Sequence, residues 1–202
     1  MTHDNTSMSL LGRLRSEENS PAWDRFVDIY GPLVPGWLKR KGVPTDVAED
    51  VRQEVLLKVV NEIKNFNHNG HAGAFRAWLR VVMMHRLRTI QRRRFRPGEA
   101  NSPDWSVVAD QLEDADSELS RQWDQEHDRH LLERLIEMVS SEFQPNTMQA
   151  FRRVVLQSEN VEQVASDLGM SVNAIRISQS RVLASLRRVG EGFIDGRTKK
   201  LR

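Results

Sequence analysis

Between Glu62 and Glu99 this chain carries no acidic residue, and inside that gap residues 75–96, FRAWLRVVMMHRLRTIQRRRFR, hold eight arginines (76, 80, 86, 88, 92, 93, 94 and 96). The apolar residues of the same stretch, Phe75, Trp78, Leu79, Val82, Met83, Leu87 and Ile90, recur at intervals of three and four. That spacing predicts one helix with a buried stripe and a cationic remainder. Like charges one turn apart, such as Arg88 and Arg92, repel each other, so such a helix needs an anion to offset them. Nucleic acid phosphate is the first candidate, and a solvated basic face on an ordinary helix is the plainer alternative. Phe75 and Trp78 lie on the apolar stripe and read as core residues rather than stacking platforms.

The rest of the composition narrows the class. The 202 residues suffice for one medium domain or two small ones, and a net charge of only +2 makes the distribution of charge more informative than its total. With no cysteine, disulfides and thiolate metal sites are excluded, and a reducing cytoplasm fits. No window approaches eighteen apolar residues and the first residues, MTHDNTSMSLLGRLRSEEN, contain no continuous apolar run, so neither a membrane span nor a secretion signal is expected. His68-x-x-His71 and His127-x-x-His130 each offer two imidazoles, but no acid cluster completes a zinc site, and they read as loop or helix-surface histidines. With no phosphate loop, nucleophile elbow or carboxylate pair in view, no enzyme, no cofactor and no metal is expected.

Taken in order, residues 1–20 form a polar N-terminal extension. Ser20-Pro21 reads as a helix start, followed by a stripe through Trp23, Phe26, Tyr30, Leu33, Val34 and Trp37, with a bend expected at Pro32 or Pro35 and a stop at Gly42. A second helix begins near Thr45 with a capping arrangement involving Asp46 and Glu49. It points Val47, Val51, Val55, Leu56, Val59, Val60 and Ile63 inward, and its outer face carries Asp46, Glu49, Asp50, Gln53 and Glu54. The loop NFNHNGHAG leads into the arginine helix. Residues 97–128 then hold ten acids against one base, Arg121, with Pro97-Gly98 and Ser102-Pro103, and read as a flexible acidic linker with a short helix near its end.

Helical periodicity resumes from about residue 127. In VEQVASDLGMSVNAIRISQSRVLASLRRV a short helix, a turn at Gly169-Met170-Ser171 and a longer helix follow one another, with small Ala165 at the crossing. This is the pattern of a helix-turn-helix, whose second helix would offer Ser171, Asn173, Arg176, Gln179 and Ser180 to base edges, with Arg181, Arg187 and Arg188 suited to phosphates. No strand-like alternation occurs. The fold class is therefore all-α, with two small helical domains, an N-terminal bundle and a C-terminal helix-turn-helix, joined by the acidic linker.

These stretches resemble a known family. AEDVRQEVLLKV resembles the polymerase-docking region of the extracytoplasmic-function (group IV) sigma factors of the sigma-70 family. GAFRAWLRVVMMHRLRTIQRRRFR resembles their −10 helix, and VEQVASDLGMSVNAIRISQSRVLASLRR their −35 helix-turn-helix. The resemblance implies a region 2-like domain over residues 21–96, a linker over 97–126, a region 4-like domain over 127–189 and a basic tail over 190–202. It implies a promoter-specific initiation subunit that binds core RNA polymerase through Asp46, Glu49, Asp50, Gln53 and Glu54. The −10 strand would meet Asn67, His68, Asn69, His71, Arg80, His85, Arg88, Arg92 and Arg93, and the −35 duplex Ser171, Asn173, Arg176, Gln179, Ser180 and Arg181. Core polymerase and promoter DNA are the implied partners, with room for an anti-sigma factor, and the free chain is expected to be a cytoplasmic monomer. The linker's charge would keep it off nucleic acid and could imitate it. Many relatives carry asparagine and aspartate where this chain has His85 and Thr89, and arginine and leucine where it has Ser178 and Gln179, so a promoter sequence does not carry over. The alternative is a free-standing helix-turn-helix regulator with a helical N-terminal dimerisation domain.

Overall fold

A computed structural model describes Leu14 and residues 21–66, 73–94 and 105–190. Among these the chain is helical, with no strand, as expected. The helices are α1 (Pro21–Arg40), α2 (Thr45–Glu62), α3 (Ala74–Arg94), α4 (Trp105–Glu113), α5 (Glu118–Ser140), α6 (Pro145–Phe151), α7 (Val161–Leu168) and α8 (Val172–Gly190), with a π-helical turn at Arg152–Leu156. Two compact units emerge, with the boundary after Leu131, inside α5.

In the first unit α1 runs on through both Pro32 and Pro35. It ends where Gly42 takes a φ of 81°, letting Val43 N–H donate to Leu38 O (3.0 Å) and Gly42 N–H to Lys39 O (3.1 Å). These are the two bonds of a Schellman stop, and a β-carbon at Gly42 would strain that left-handed conformation. The chain turns directly into α2, whose N-cap is Pro44 with no side-chain cap. Asp46 and Glu49 do not form the expected capping arrangement, because both are drawn into ion pairs with arginine and lysine side chains. Val60, expected inward, is 47% exposed and Leu57 is 61% exposed, since the buried row of α2 follows Val47, Val51, Val55, Val59 and Ile63.

The acidic stretch departs most from expectation. Residues 105–113 and 118–126 are helical and packed rather than a flexible linker. Ala109 and Leu112, three residues apart on α4, are buried, as are Ser120, Trp123, His127 and Leu131 along one face of α5. Ser117 hinges the two helices: its hydroxyl donates to Gln111 O (2.6 Å) and accepts from Ser120 N–H (3.0 Å), a side-chain cap for α5. Trp123 meets Trp37 edge-on at 5.4 Å and donates its indole N–H to Arg76 O (3.4 Å). Tyr30 stacks on Phe26 and touches both Phe75 and His127. Burying a tryptophan-sized ring against this aromatic cluster contributes on the order of 3 kcal/mol or more, one of several burials that together offset the cost of ordering a polar segment.

The second unit is built on Ala150, Val164, Ala165 and Ile175, with Val154, Val161, Leu168, Met170 and Val172 packed around them. Asn160 caps α7 by accepting from Gln163 N–H (3.0 Å), and Gly169, at φ 62°, closes it. Ser171 caps α8 through Ala174 N–H (3.1 Å). Arg153 braces the turn, reaching Glu159 and Asp167 at 2.6 Å each. The hydrogen bond to Glu159, then that to Asp167, holds the guanidinium charged well above its ordinary range.

Candidate nucleic-acid interfaces

The arginines of α3 do not lie bare. On one flank they meet α2: Arg94 Nη1 is 2.5 Å from Asp46 Oδ2 and Arg94 also pairs with Asp50, while Arg93 and Arg86 lie 3.2 and 3.5 Å from Glu54. On the other flank they meet the acidic segment. Arg88 Nη2 donates to Asp110 Oδ1 (2.5 Å) and Glu113 Oε2 (2.8 Å), and Arg76 Nη1 to Asp128 Oδ1 (2.6 Å). Arg76 Nε lies 3.1 Å and Arg80 Nη1 3.7 Å from Asp124 Oδ1. The Arg80 distance exceeds hydrogen-bond range, so that attraction is coulombic. Thus the anion demanded by the helix is supplied within the chain, and Arg92 is the arginine of α3 that no carboxylate of the described residues reaches.

Electrostatics follow this pairing. The Glu113 hydrogen bond, then Asp110, raises the Arg88 guanidinium further above its ordinary range, and Asp46 does the same for Arg94. Arg94 in turn holds Asp46 below the usual aspartate value. For Asp128 burial works in the opposite direction, but the His127 hydrogen bond and Arg76 outweigh it and the carboxyl is lowered. Glu49 is lowered by Lys39 first and Arg52 second.

The expected strand-facing residues therefore divide. Arg80 is 5% exposed and faces Asp124 in the interior, so it is not presented to a strand. Its burial arises because α3 is covered on two sides, which widens the buried arc beyond the stripe read from one-sided packing. Arg88 is half-covered by α4. His85, Arg92 and Arg93 are exposed, and Thr89 Oγ1 donates to His85 O (2.9 Å), turned onto its own helix. Asn67, His68, Asn69 and His71 lie outside the described residues. Of the five residues expected to dock polymerase, Asp46, Glu49, Asp50 and Glu54 are in ion pairs within the chain. Gln53 is exposed, one turn before Leu57 and in line with Val60, an apolar strip that sequence reasoning had missed.

The second candidate surface is α8. Ser171, Asn173, Arg176, Ser180 and Arg181 are exposed and Gln179 is half-buried. Ser171 spends its hydroxyl on the helix start. Ser178 is buried, so it belongs to the packing rather than the exposed face. Ile177, which sequence reasoning passed over, is 51% exposed between Asn173 and Arg181, where an apolar side chain suits a thymine methyl group. Arg181 lies over the Phe143 ring (6.0 Å), and Arg188 is tied to Glu142 at 2.7 Å. Among the described residues no group of three or more histidines and carboxylates is arranged to hold a metal ion, and no helix is long and apolar enough to cross a membrane.

Residues 26–97 match the family model of Sigma-70 region 2, which covers α1 to α3 and stops short of α4. That match supports a sigma factor of the sigma-70 family, a class of transcription-initiation proteins that act by binding and are not enzymes. In that family the partners are core RNA polymerase and promoter DNA. No curated protein matches the chain.

Proposed function

We propose that this chain is a sigma factor of the extracytoplasmic-function type, a dissociable cytoplasmic subunit that binds core RNA polymerase, reads the −35 duplex with α8 and opens the −10 element with α3. The observation that carries this reading is the pairing, on one chain, of an arginine-rich region 2 helix with a capped helix-turn-helix whose basic face is open. On α8, Asn173, Arg176, Ile177, Gln179, Ser180 and Arg181 would face the major groove, where arginine and asparagine match guanine and adenine edges. On α3, His85, Arg92 and Arg93 would follow the strand first, together with Asn67, His68, Asn69 and His71. Polymerase would dock on Gln53, Leu57 and Val60, with Asp46, Glu49, Asp50 and Glu54 at the rim, where aliphatic contacts supply burial and the acids supply orientation. Residues 21–96 and 127–189 would then correspond to regions 2 and 4.

In vitro transcription with purified core polymerase tests the proposal. The chain is expected to co-purify with core and to direct initiation from a subset of genomic promoters. Duplex binding without any association with core would replace this reading with that of a free-standing helix-turn-helix regulator.

A further inference from the structure

The acidic helices α4 and α5 lie outside the region 2 match, yet they occupy the arginines that a DNA strand would need. We infer that α4, through Asp110 and Glu113, forms an internal nucleic-acid mimic that closes Arg88 of the arginine helix in the free protein and is displaced when a strand binds, while α5 stays packed through Trp123. This inference rests on the proposed reading of α3 as the strand-binding surface.

Three features of the segment support it. Its carboxylates hold arginines of the helix in pairs, Asp110 and Glu113 sharing Arg88 and Asp124 and Asp128 sharing Arg76. The outer pair is poised to exchange: the Asp110 and Glu113 side chains are 65% and 64% exposed against 23% for Arg88, and ion pairs with the carboxylate side open to water yield to a competing polyanion. The segment is nevertheless held in place by apolar contacts, through Ala109 and Leu112 of α4 and Trp123 of α5. A cover with an apolar hinge and a weak electrostatic latch lowers the apparent affinity of the free chain by the fraction of time it is open. Strand binding and cover release are then thermodynamically linked, so each favours the other.

The test uses the full chain and a labelled mixed-sequence single-stranded DNA oligonucleotide, which avoids duplex reading by α8. Asp110→Asn with Glu113→Gln removes the latch while keeping side-chain shape. Asp116→Asn with Glu118→Gln removes the same charge from the same segment at residues that do not pair with α3, Glu118 being bound to Arg121. The latch variant is expected to bind the strand about tenfold more tightly than the native chain, and the comparison variant to change by about twofold or less. Adding Arg88→Ala to the latch variant should remove most of the gain. Equal gains in the two variants would reduce the effect to net charge, and no gain in either would also overturn the inference. In the native chain, saturating oligonucleotide should accelerate amide hydrogen exchange in Trp105–Glu113, and unchanged exchange there would count equally against it. Core-polymerase binding by the native chain is a separate measurement: its failure sinks the sigma reading, whereas the oligonucleotide series decides the cover.

Discussion

Helices α3 and α8 are both basic and both candidates for touching DNA, yet they solve opposite problems. Six of the described arginines of α3 (76, 80, 86, 88, 93 and 94) face carboxylates of the same chain, whereas Arg176 and Arg187 of α8 meet none among the described residues. The difference follows from packing. Helix α3 is enclosed by α2 and by the acidic segment, so its charges are partly desolvated and must be paired. Helix α8 packs through Ile175, Val182 and Leu186 and leaves its other face to water, where an arginine is well solvated. Under the proposed function, α8 must stay open to find its duplex site, while α3 gains from being shielded until separated strands are available.

The comparison breaks most visibly at Trp123. If the acidic segment is integral to the first unit, Trp123→Ala should destabilise that unit by about 3–5 kcal/mol in chemical denaturation. A loss near zero would return the segment to the status of a tether. Next, Arg176→Ala should weaken binding to a cognate −35 duplex by about 1–3 kcal/mol in a fluorescence titration, while Arg88→Ala in the free chain changes duplex binding little. Comparable losses from both would erase the contrast between the helices. The smallest effect is at Asp128. Its folded pKa lies below the ordinary aspartate value of 3.8, so its contribution to stability is complete above that value and is lost as pH falls through the lower folded one. Asp128→Asn should therefore cost about 1 kcal/mol or less at neutral pH, discounted for solvent screening, and flatten the stability curve below pH 3.8. A mutant whose acid limb overlays that of the native chain would show that the Arg76 and His127 contacts contribute nothing.

The helices themselves were readable because their apolar residues recur every three or four positions, and the stops at Gly42 and Gly169 because glycine alone takes a positive φ without strain. The exposed face of α8 was largely legible for the same reason, Ile177 excepted, since an isoleucine among polar residues looks like core. What spacing could not disclose was the partner of each arginine. Arg94 pairs with Asp46 and Asp50, and Arg76 with Asp128, across dozens of residues, and coulombic pairing leaves no periodic trace in a chain. The acidic segment was misjudged because its acids outnumber its apolar residues. Yet Val108, Ala109 and Leu112, and then Ser120, Trp123, His127 and Leu131, already sit at helical intervals. Arg80 was misplaced by assuming a single buried side for α3.

The edge-on contact between Trp37 and Trp123 sets an order of events at the ribosome. By the time residue 97 is synthesised, every residue matched by the family model has been made, but the surface around Trp37 still lacks its indole partner. The remaining residues to Leu131 arrive over the next few seconds at about 5–20 residues per second. During that interval the arginine helix has neither its aromatic support nor the carboxylates of α4 and α5. A fragment ended at residue 97 would keep that immature state permanently.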